Sequence, residues 1–491
     1  METARSLHSL LLLLLLPLIF VLVDARSSSI DAISAFYQTL VLNEQKLPLM
    51  DMKIPATDCI FHKPRVEKET ATFEMKERDY CSGNIKHRDK NLQDRLILDE
   101  IHVDSLLSRF KYATSLFTPH DISDTHLPLT LGTSLQTLNY LVTVRIGPQN
   151  LTLIVDTGSD LTWVQCLPCH LCYNQQQPLF DPSNSPSFVP LPCNSNNCSA
   201  FQPTAGGSGA CTNGSSNPCD YEVNYGDGSY SRGDLGFETL KLGNVSVENF
   251  IFGCGRNNKG LFGGTSGLIG FGRSELSVVS QSSSVYGGVF SYCLPSTETG
   301  SSGSLTLGAG DFSNFRNISP ISYTKMVPNP QMSNFYTLNL TGITVGGLKL
   351  VVPRLASSNG VLSLLDSGTV ITRLPPSVYK ALKEEFERQF SVYRTAPGYS
   401  LLDTCYNLSG LKQVKTPNVK LHFEDEGEMS VDVGGLFYYV KSDGSQICLA
   451  FASLADEYQI GIIGSYQQKN QRVIYNLKES KVGFAGERCS F

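Results

Sequence analysis

Two short segments of this chain read almost alike. Leu153-Ile154-Val155-Asp156-Thr157-Gly158-Ser159 and Leu364-Leu365-Asp366-Ser367-Gly368-Thr369 each run from an apolar strand into an Asp, a hydroxyl residue, a Gly and another hydroxyl residue. Their aspartates stand 210 residues apart (366 minus 156). A second pair follows in the same order, Gly267-Leu268-Ile269-Gly270 and Gly461-Ile462-Ile463-Gly464. Two halves with the same elements in the same order point to two similar lobes. The strand-ending Asp of each half then meets its counterpart across a pseudo-two-fold axis.

The texture of the chain agrees with a β body. From Asn139 onward, short apolar runs such as Tyr140 to Ile146, Leu151 to Val155, Phe250 to Phe252 and Phe437 to Val440 alternate with Gly, Ser, Asn and Pro clusters. Many short strands with frequent turn signals describe a mostly β, bilobal fold. One segment departs from this. Pro375-Pro376-Ser377 opens a helix with Ser377 as its cap, and Val378, Leu382, Phe386 and Phe390 recur at about one turn. Residues 26–125 differ again, being dense in charge and poor in Gly. There Leu92, Leu96, Val103, Leu107 and Phe110 follow helical spacing and form one apolar stripe.

The N-terminus carries a targeting signal. Arg5 and His8 precede an apolar run from Leu10 to Val23, and Val23-Asp24-Ala25 offers small or aliphatic residues for a signal peptidase. The run is short for a membrane span, so a cleaved secretory signal over residues 1–25 is the reading, with an uncleaved anchor as the alternative. The polar C-terminus, Glu487 to Phe491, lacks a lipid-anchor tail, and no stable membrane anchor is expected. Beyond Cys59 and Cys81, twelve cysteines lie between Cys166 and Cys489, enough for six disulfides in an oxidising compartment. They are Cys166, Cys169, Cys172, Cys193, Cys198, Cys211, Cys219, Cys254, Cys293, Cys405, Cys448 and Cys489. The spacing of Cys166, Cys169 and Cys172 also suits zinc, but only His170 lies nearby, so disulfides are the stronger reading and no metal or other cofactor is expected. Glycosylation sequons begin at Asn150, Asn197, Asn213, Asn244, Asn317, Asn339 and Asn407. The net charge of -6 gives no overall basic surface, and nucleic acid is not an expected partner.

An Asp between a strand and a Gly is ordinarily a turn residue. Two of them in matching contexts suggest chemistry. Amide hydrolysis needs a base to activate water and an acid to protonate the leaving nitrogen. Two close carboxylates supply both, because they do not readily ionise together and share one proton. Gly158 and Gly368 allow close backbone approach, and the hydroxyls of Ser159 and Thr369 orient the carboxylates, with Thr157 and Ser367 between them.

Asp156-Thr157-Gly158-Ser159 and Asp366-Ser367-Gly368-Thr369 resemble the two active-site motifs of pepsin-like aspartic proteases. Asn224-Tyr225-Gly226-Asp227-Gly228-Ser229 resembles the flap of that family, and order and spacing agree over residues 139–491. The cysteine-rich insertion between the first Asp and the flap is similar to the plant nepenthesin-like branch. The resemblance implies an aspartic endopeptidase acting on peptides or proteins, with Asp156 and Asp366 catalytic. It implies a flap built on Tyr225, Gly226 and Asp227, with Trp163 behind it bonding the Tyr225 hydroxyl. It also implies the pairs Cys169–Cys172, Cys405–Cys448 and Cys293–Cys489. Val370 departs from the Ser or Thr that many relatives use on substrate backbone. Asp227 departs from the uncharged flap tip of pepsin and is either a turn residue or a selector against acidic substrates.

The expected organisation is a signal at 1–25, a partly helical prosegment at 26–125, an N-terminal β lobe at 126–325 and a C-terminal β lobe at 326–491. A monomer is expected, in the extracellular space or vacuole, with its own prosegment as partner. Maturation is expected to cut between Thr114 and Leu138, and Lys86, Arg88 and Lys90 are candidates to contact the dyad before that. The alternative is a non-catalytic binding or inhibitor protein on the same scaffold. Retention of both aspartates, their glycines and Tyr225 weighs against it.

Overall fold

The computed structural model describes residues 36–42, 60–67, 70–77, 88–115, 140–201, 218–225, 228–260, 262–295, 302–308, 318–329, 333–352 and 360–489. The signal run, Cys59, Cys81, Lys86, Cys211, Asn213, Gly226, Asp227 and Asn317 lie outside them, as does most of the expected maturation span.

The repeat in the sequence is a repeat in the sheets. In the first half, β1 (Tyr140–Ile146), β2 (Gln149–Asp156), β3 (Trp163–Gln165), β4 (Val245–Lys259) and β5 (Gly267–Gly270) lie side by side in the order β1-β2-β5-β3-β4. In the second half, β6 (Thr337–Val345), β7 (Val361–Leu365), β8 (Thr372–Leu374), β9 (Phe451–Ser453) and β10 (Gly461–Ile463) lie in the order β6-β7-β10-β8-β9. The strand directions also correspond. β2 and β7 run parallel to their glycine-rich partners β5 and β10, and β3 and β8 run antiparallel to those same partners. Buried strands between two neighbours read as continuous apolar runs, and Leu151 to Val155 and Leu364 and Leu365 are buried accordingly.

Each half belongs to a larger sheet. Among the described residues the first sheet has 15 strands and takes in the C-terminal hairpin of Gln471–Asn476 and Lys481–Gly486, while the second has eight. The chain is thus mostly β and bilobal. Helix α2 (Pro376–Gln389) packs Val378, Leu382 and Phe386 inward, with buried Phe390 just past its end. Ser377 is not its cap. Pro375 holds that position without a side-chain bond, and Ser377 lies in the first turn, its backbone N–H donating to Glu457 Oε2 at 3.0 Å. A carboxylate from another segment therefore meets the orphan donors that a capping hydroxyl would meet.

The N-terminal region is woven into both halves. Tyr37–Val41 pairs with Gln413–Pro417. Thr70–Glu77 lies between Gly303–Leu307 and β1, with Ala71, Phe73 and Met75 buried. Helix α1 (Arg88–Ser115) sets one face on the second half. Leu96 packs with Val370 and Ile371, and Val103, Leu106 and Leu107 pack with Phe335, Leu364 and Ile462. Among the described residues no helix is long and apolar enough to cross a membrane.

Among the described residues, disulfides join Cys166–Cys254, Cys169–Cys172, Cys198–Cys219, Cys293–Cys489 and Cys405–Cys448. Cys193 is also disulfide-bonded. Three of these are the pairs that the family resemblance implies. Among the sequons, Asn150, Asn197 and Asn244 are exposed. Asn339 requires a correction. It is buried on β6, and its Nδ2, the atom a glycan needs, donates to Glu424 Oε1 at 2.7 Å.

Candidate active site

Each strand of the repeat delivers its aspartate at the same point. Asp156 is the last residue of β2, level with Gly270 of β5. Asp366 follows β7, whose last residue Leu365 is level with Ile463 of β10. The backbone then turns sharply and folds its own donors onto the carboxylate. Asp156 Oδ1 accepts from Gly158 N at 2.9 Å and Oδ2 from Ser159 Oγ at 2.5 Å. Asp366 Oδ1 accepts from Gly368 N at 3.0 Å, and Oδ2 from Thr369 N at 3.0 Å and Thr369 Oγ1 at 2.7 Å. Residues 157 and 367 tie the halves together, Ser367 N donating to Thr157 Oγ1 at 3.1 Å and the two hydroxyls lying 3.0 Å apart. The carboxylates share one pocket around Gly158. A β-carbon there would stand 3.3 Å from Asp156 Oδ1 and 3.5 Å from Asp366 Oδ1, so a side chain at this position would press on the carboxylates.

The two carboxyls are pushed in opposite directions. Asp156 is raised above the usual carboxylate value, by burial first and by the charge of Asp366 second, against the bonds from Ser159 and Gly158. Burial also raises Asp366, but the hydrogen bond and charge of His102, with the donors of Thr369 and Gly368, outweigh it and hold Asp366 below its usual value. With helix α1 docked, the proton of this coupled pair therefore favours the Asp156 side. Asp160, four residues on, is pushed up to about 6 by burial, against hydrogen bonds from Ser274 and Asn334.

The flap candidate is a hairpin of Asp220–Asn224 with Tyr230–Leu242. Tyr225 N donates to Ser229 O at 2.8 Å to close its turn. Fully buried Trp163 donates from Nε1 to the Tyr225 hydroxyl at 2.7 Å. Phe262 packs edge-on against both rings.

Sequence reasoning missed three residues. His102 Nε2 lies 3.1 Å from Asp366 Oδ2. One helical turn earlier, the buried Asp99 carboxylate accepts from Val370 N at 2.5 Å, from Ile371 N at 3.2 Å and from Arg373 Nη2 at 2.8 Å. His102 is thus a basic residue of this region that meets the dyad. Lys86 lies outside the described residues, as do the side chains of Arg88 and Lys90. Two signals were available. Asp99 and His102 interrupt the apolar stripe on its buried side, and Arg373 stands seven residues after Asp366 just as Trp163 stands seven after Asp156.

The comparisons agree with this geometry. Residues 140–309 match the family model described as Xylanase inhibitor N-terminal, and residues 335–486 match Xylanase inhibitor C-terminal. An aspartyl protease family protein of Arabidopsis thaliana is 40% identical over 444 residues, covering 89% of this chain and 90% of that protein. Aspartic proteinase nepenthesin-1 of Nepenthes gracilis is 36% identical, covering 71% of this chain and 78% of its own. Basic 7S globulin from soybean, a solved structure, shares the fold with a TM-score of 0.56 at 20% identity, covering 72% of this chain and 95% of its own. The chain belongs to the pepsin-like aspartic protease family, in its plant nepenthesin-like branch.

Proposed function

We propose that this chain is an aspartic endopeptidase made as a secreted zymogen. The observation that carries the reading is the buried pair Asp156 and Asp366, brought together at Gly158 and each held by its own glycine and hydroxyl donors. In the working enzyme one carboxylate of the pair takes a proton from the attacking water. The other, protonated, hydrogen-bonds the scissile carbonyl oxygen and polarises it. The tetrahedral intermediate then collapses as the carboxyl that took the water proton passes it to the leaving nitrogen, and the pair returns to its singly protonated state. Thr157, Gly158, Ser159, Ser367, Gly368 and Thr369 keep the carboxyls fixed while the proton moves. Tyr225, Gly226 and Asp227 form the flap over the peptide, and Trp163 fixes the angle of Tyr225.

The substrates are peptides or proteins, and the enzyme works as a monomer. The disulfides suit an extracellular or vacuolar site. The inhibitor reading has the wording of the family models behind it. Inhibition by this scaffold needs no proton exchange between two carboxylates, whereas both aspartates here are kept together with the donors that hydrolysis needs. The test is cleavage of a denatured protein at acid pH by the matured chain, blocked by a statine-type inhibitor. A matured chain that cuts nothing and ignores the inhibitor would be a binding protein.

Helix α1 covers the dyad in the zymogen, and maturation cuts between Thr114 and Leu138. The segment before the cut does not fall away at once. Thr70–Glu77 keeps hydrogen-bonded partners on both edges. Buried Phe73 and Met75 each contribute roughly 1.5–3 kcal/mol by burial. At neutral pH the cut fragment is expected to co-elute with the body on size exclusion and to separate under denaturant. A fragment lost at neutral pH immediately after cleavage would show that another segment fills its place.

A further inference from the structure

The pseudo-symmetry gives Arg373 a counterpart. Trp163 of β3 is level with Leu268 of β5, and Arg373 of β8 is level with Ile462 of β10. Each stands seven residues after its aspartate. Trp163 supports the flap from its half. Arg373 supports nothing comparable in the second half. Its Nη1 donates to Ile371 O at 3.0 Å, and its Nη2 reaches out of the body to Asp99 on helix α1 at 2.8 Å.

Asp99 is held as a ligand is held. Three donors converge on one carboxylate, namely Val370 N, Ile371 N and the Arg373 guanidinium. All three belong to the segment that leads away from Asp366, and the carboxylate they bind comes from the helix that also meets Asp366 through His102. Residues three apart on a helix are neighbours on one face, so the cradle adjoins the reacting carboxylates. When the helix leaves, a guanidinium and two amides lose their acceptor together. A guanidinium does not shed its charge, and a carboxylate is its best-matched partner.

We propose that Arg373 and the amides of Val370 and Ile371 form a carboxylate-binding subsite that selects peptides bearing a carboxylate beside the cut, and that Asp99 occupies this subsite in the zymogen. The proposal rests on the endopeptidase reading. It also accounts for Val370, because at this position the body offers its backbone N–H and needs no side-chain hydroxyl. The carboxylate has two possible sources, an Asp or Glu side chain or the C-terminus of a short peptide. Arg373 is a specificity-determining residue, since it meets a substrate group beside the scissile bond and takes no part in the proton transfers at it.

The test uses matured enzyme at pH 5, where an ordinary Glu carboxyl, with a pKa of about 4.3, is mostly ionised. Quenched peptides of one sequence carry Glu or Gln in turn at each position flanking the cut, and each is made with a free or amidated C-terminus. Wild type is expected to favour Glu over Gln about tenfold or more at one position, as one desolvated charge-assisted pair requires. A preference that follows the free C-terminus instead assigns the same cradle to terminal carboxylates. In Arg373→Gln the rates on paired peptides converge, and in Arg373→Glu the order reverses to Gln over Glu. Should a variant fail to fold, the wild-type ratios decide alone. Cleavage of all peptides without preference for a carboxylate at any position, or a preference that survives in Arg373→Gln, overturns the subsite and leaves the endopeptidase standing. Cleavage of none overturns both.

Discussion

Asp156→Asn and Asp366→Asn, made singly, are each expected to lower peptide hydrolysis on the order of 10³-fold or more while leaving the fold intact, a loss in the range seen when general acid–base catalysis is removed. Each change removes one member of a pair that works only as a pair. The double variant is therefore expected to be little worse than either single one. The wild-type pH profile follows from the same two groups. Activity needs one carboxyl of the pair ionised and the other protonated. It should rise as pH climbs through the ionisation of the first and fall as pH climbs through that of the second, which burial and the charge of its partner raise. Loss of His102 with the departing helix removes a charge that lowers both carboxyls, so both limbs shift upward on maturation. Rates of quenched-peptide cleavage across pH, with thermal unfolding as the check on folding, decide the matter. Near-normal turnover in either purified variant would remove the dyad from the mechanism.

The parts of this site that were legible in the sequence are those written twice. Asp156 and Asp366 announce themselves because an Asp, a hydroxyl, a Gly and a hydroxyl recur after an apolar strand, and the fold needs that grammar in each half. Gly267–Gly270 and Gly461–Ile463 are legible for the same reason, since each runs parallel beside its aspartate strand. The contacts of helix α1 were not legible. They join residues nearly 270 apart, as with Asp99 and Ile371, separated by 272 positions, and no local periodicity encodes such a distance. The apolar stripe announced a helix with a buried face but not what it would bury against. Charge alone pointed to Lys86, Arg88 and Lys90 and passed over His102, whose place at Asp366 is set by the register of the helix. Asn339 failed for a related reason. A sequon is read from three residues, but its burial is set by β6 lying between two neighbouring strands.

Removing the Asp99 carboxylate should open the zymogen. Asp99 and Arg373 are almost wholly buried against each other, with side-chain exposures of 0% and 4%. Taking one partner from such a pair costs roughly 3–5 kcal/mol, because the other charge is left without compensation. That corresponds to on the order of 10²–10³-fold in the docking equilibrium of helix α1. Asp99→Ala precursor is therefore expected to hydrolyse a short quenched peptide on the order of tenfold or more faster than wild-type precursor at pH 6, before any cleavage is visible on a gel. His102→Ala should give a smaller rise, since Leu96, Val103, Leu106 and Leu107 still anchor the helix. Acid should act in the same direction. Docking holds Asp366 ionised below its ordinary value of 3.8, so this contribution is present in full above that pH and is lost as pH falls through the depressed value. The coupling can be isolated, because Asp99→Ala combined with Arg373→Gln leaves no unpaired guanidinium and should recover part of the latency. Equal initial rates for wild type, Asp99→Ala and His102→Ala precursors would mean that the apolar stripe alone keeps the cleft closed.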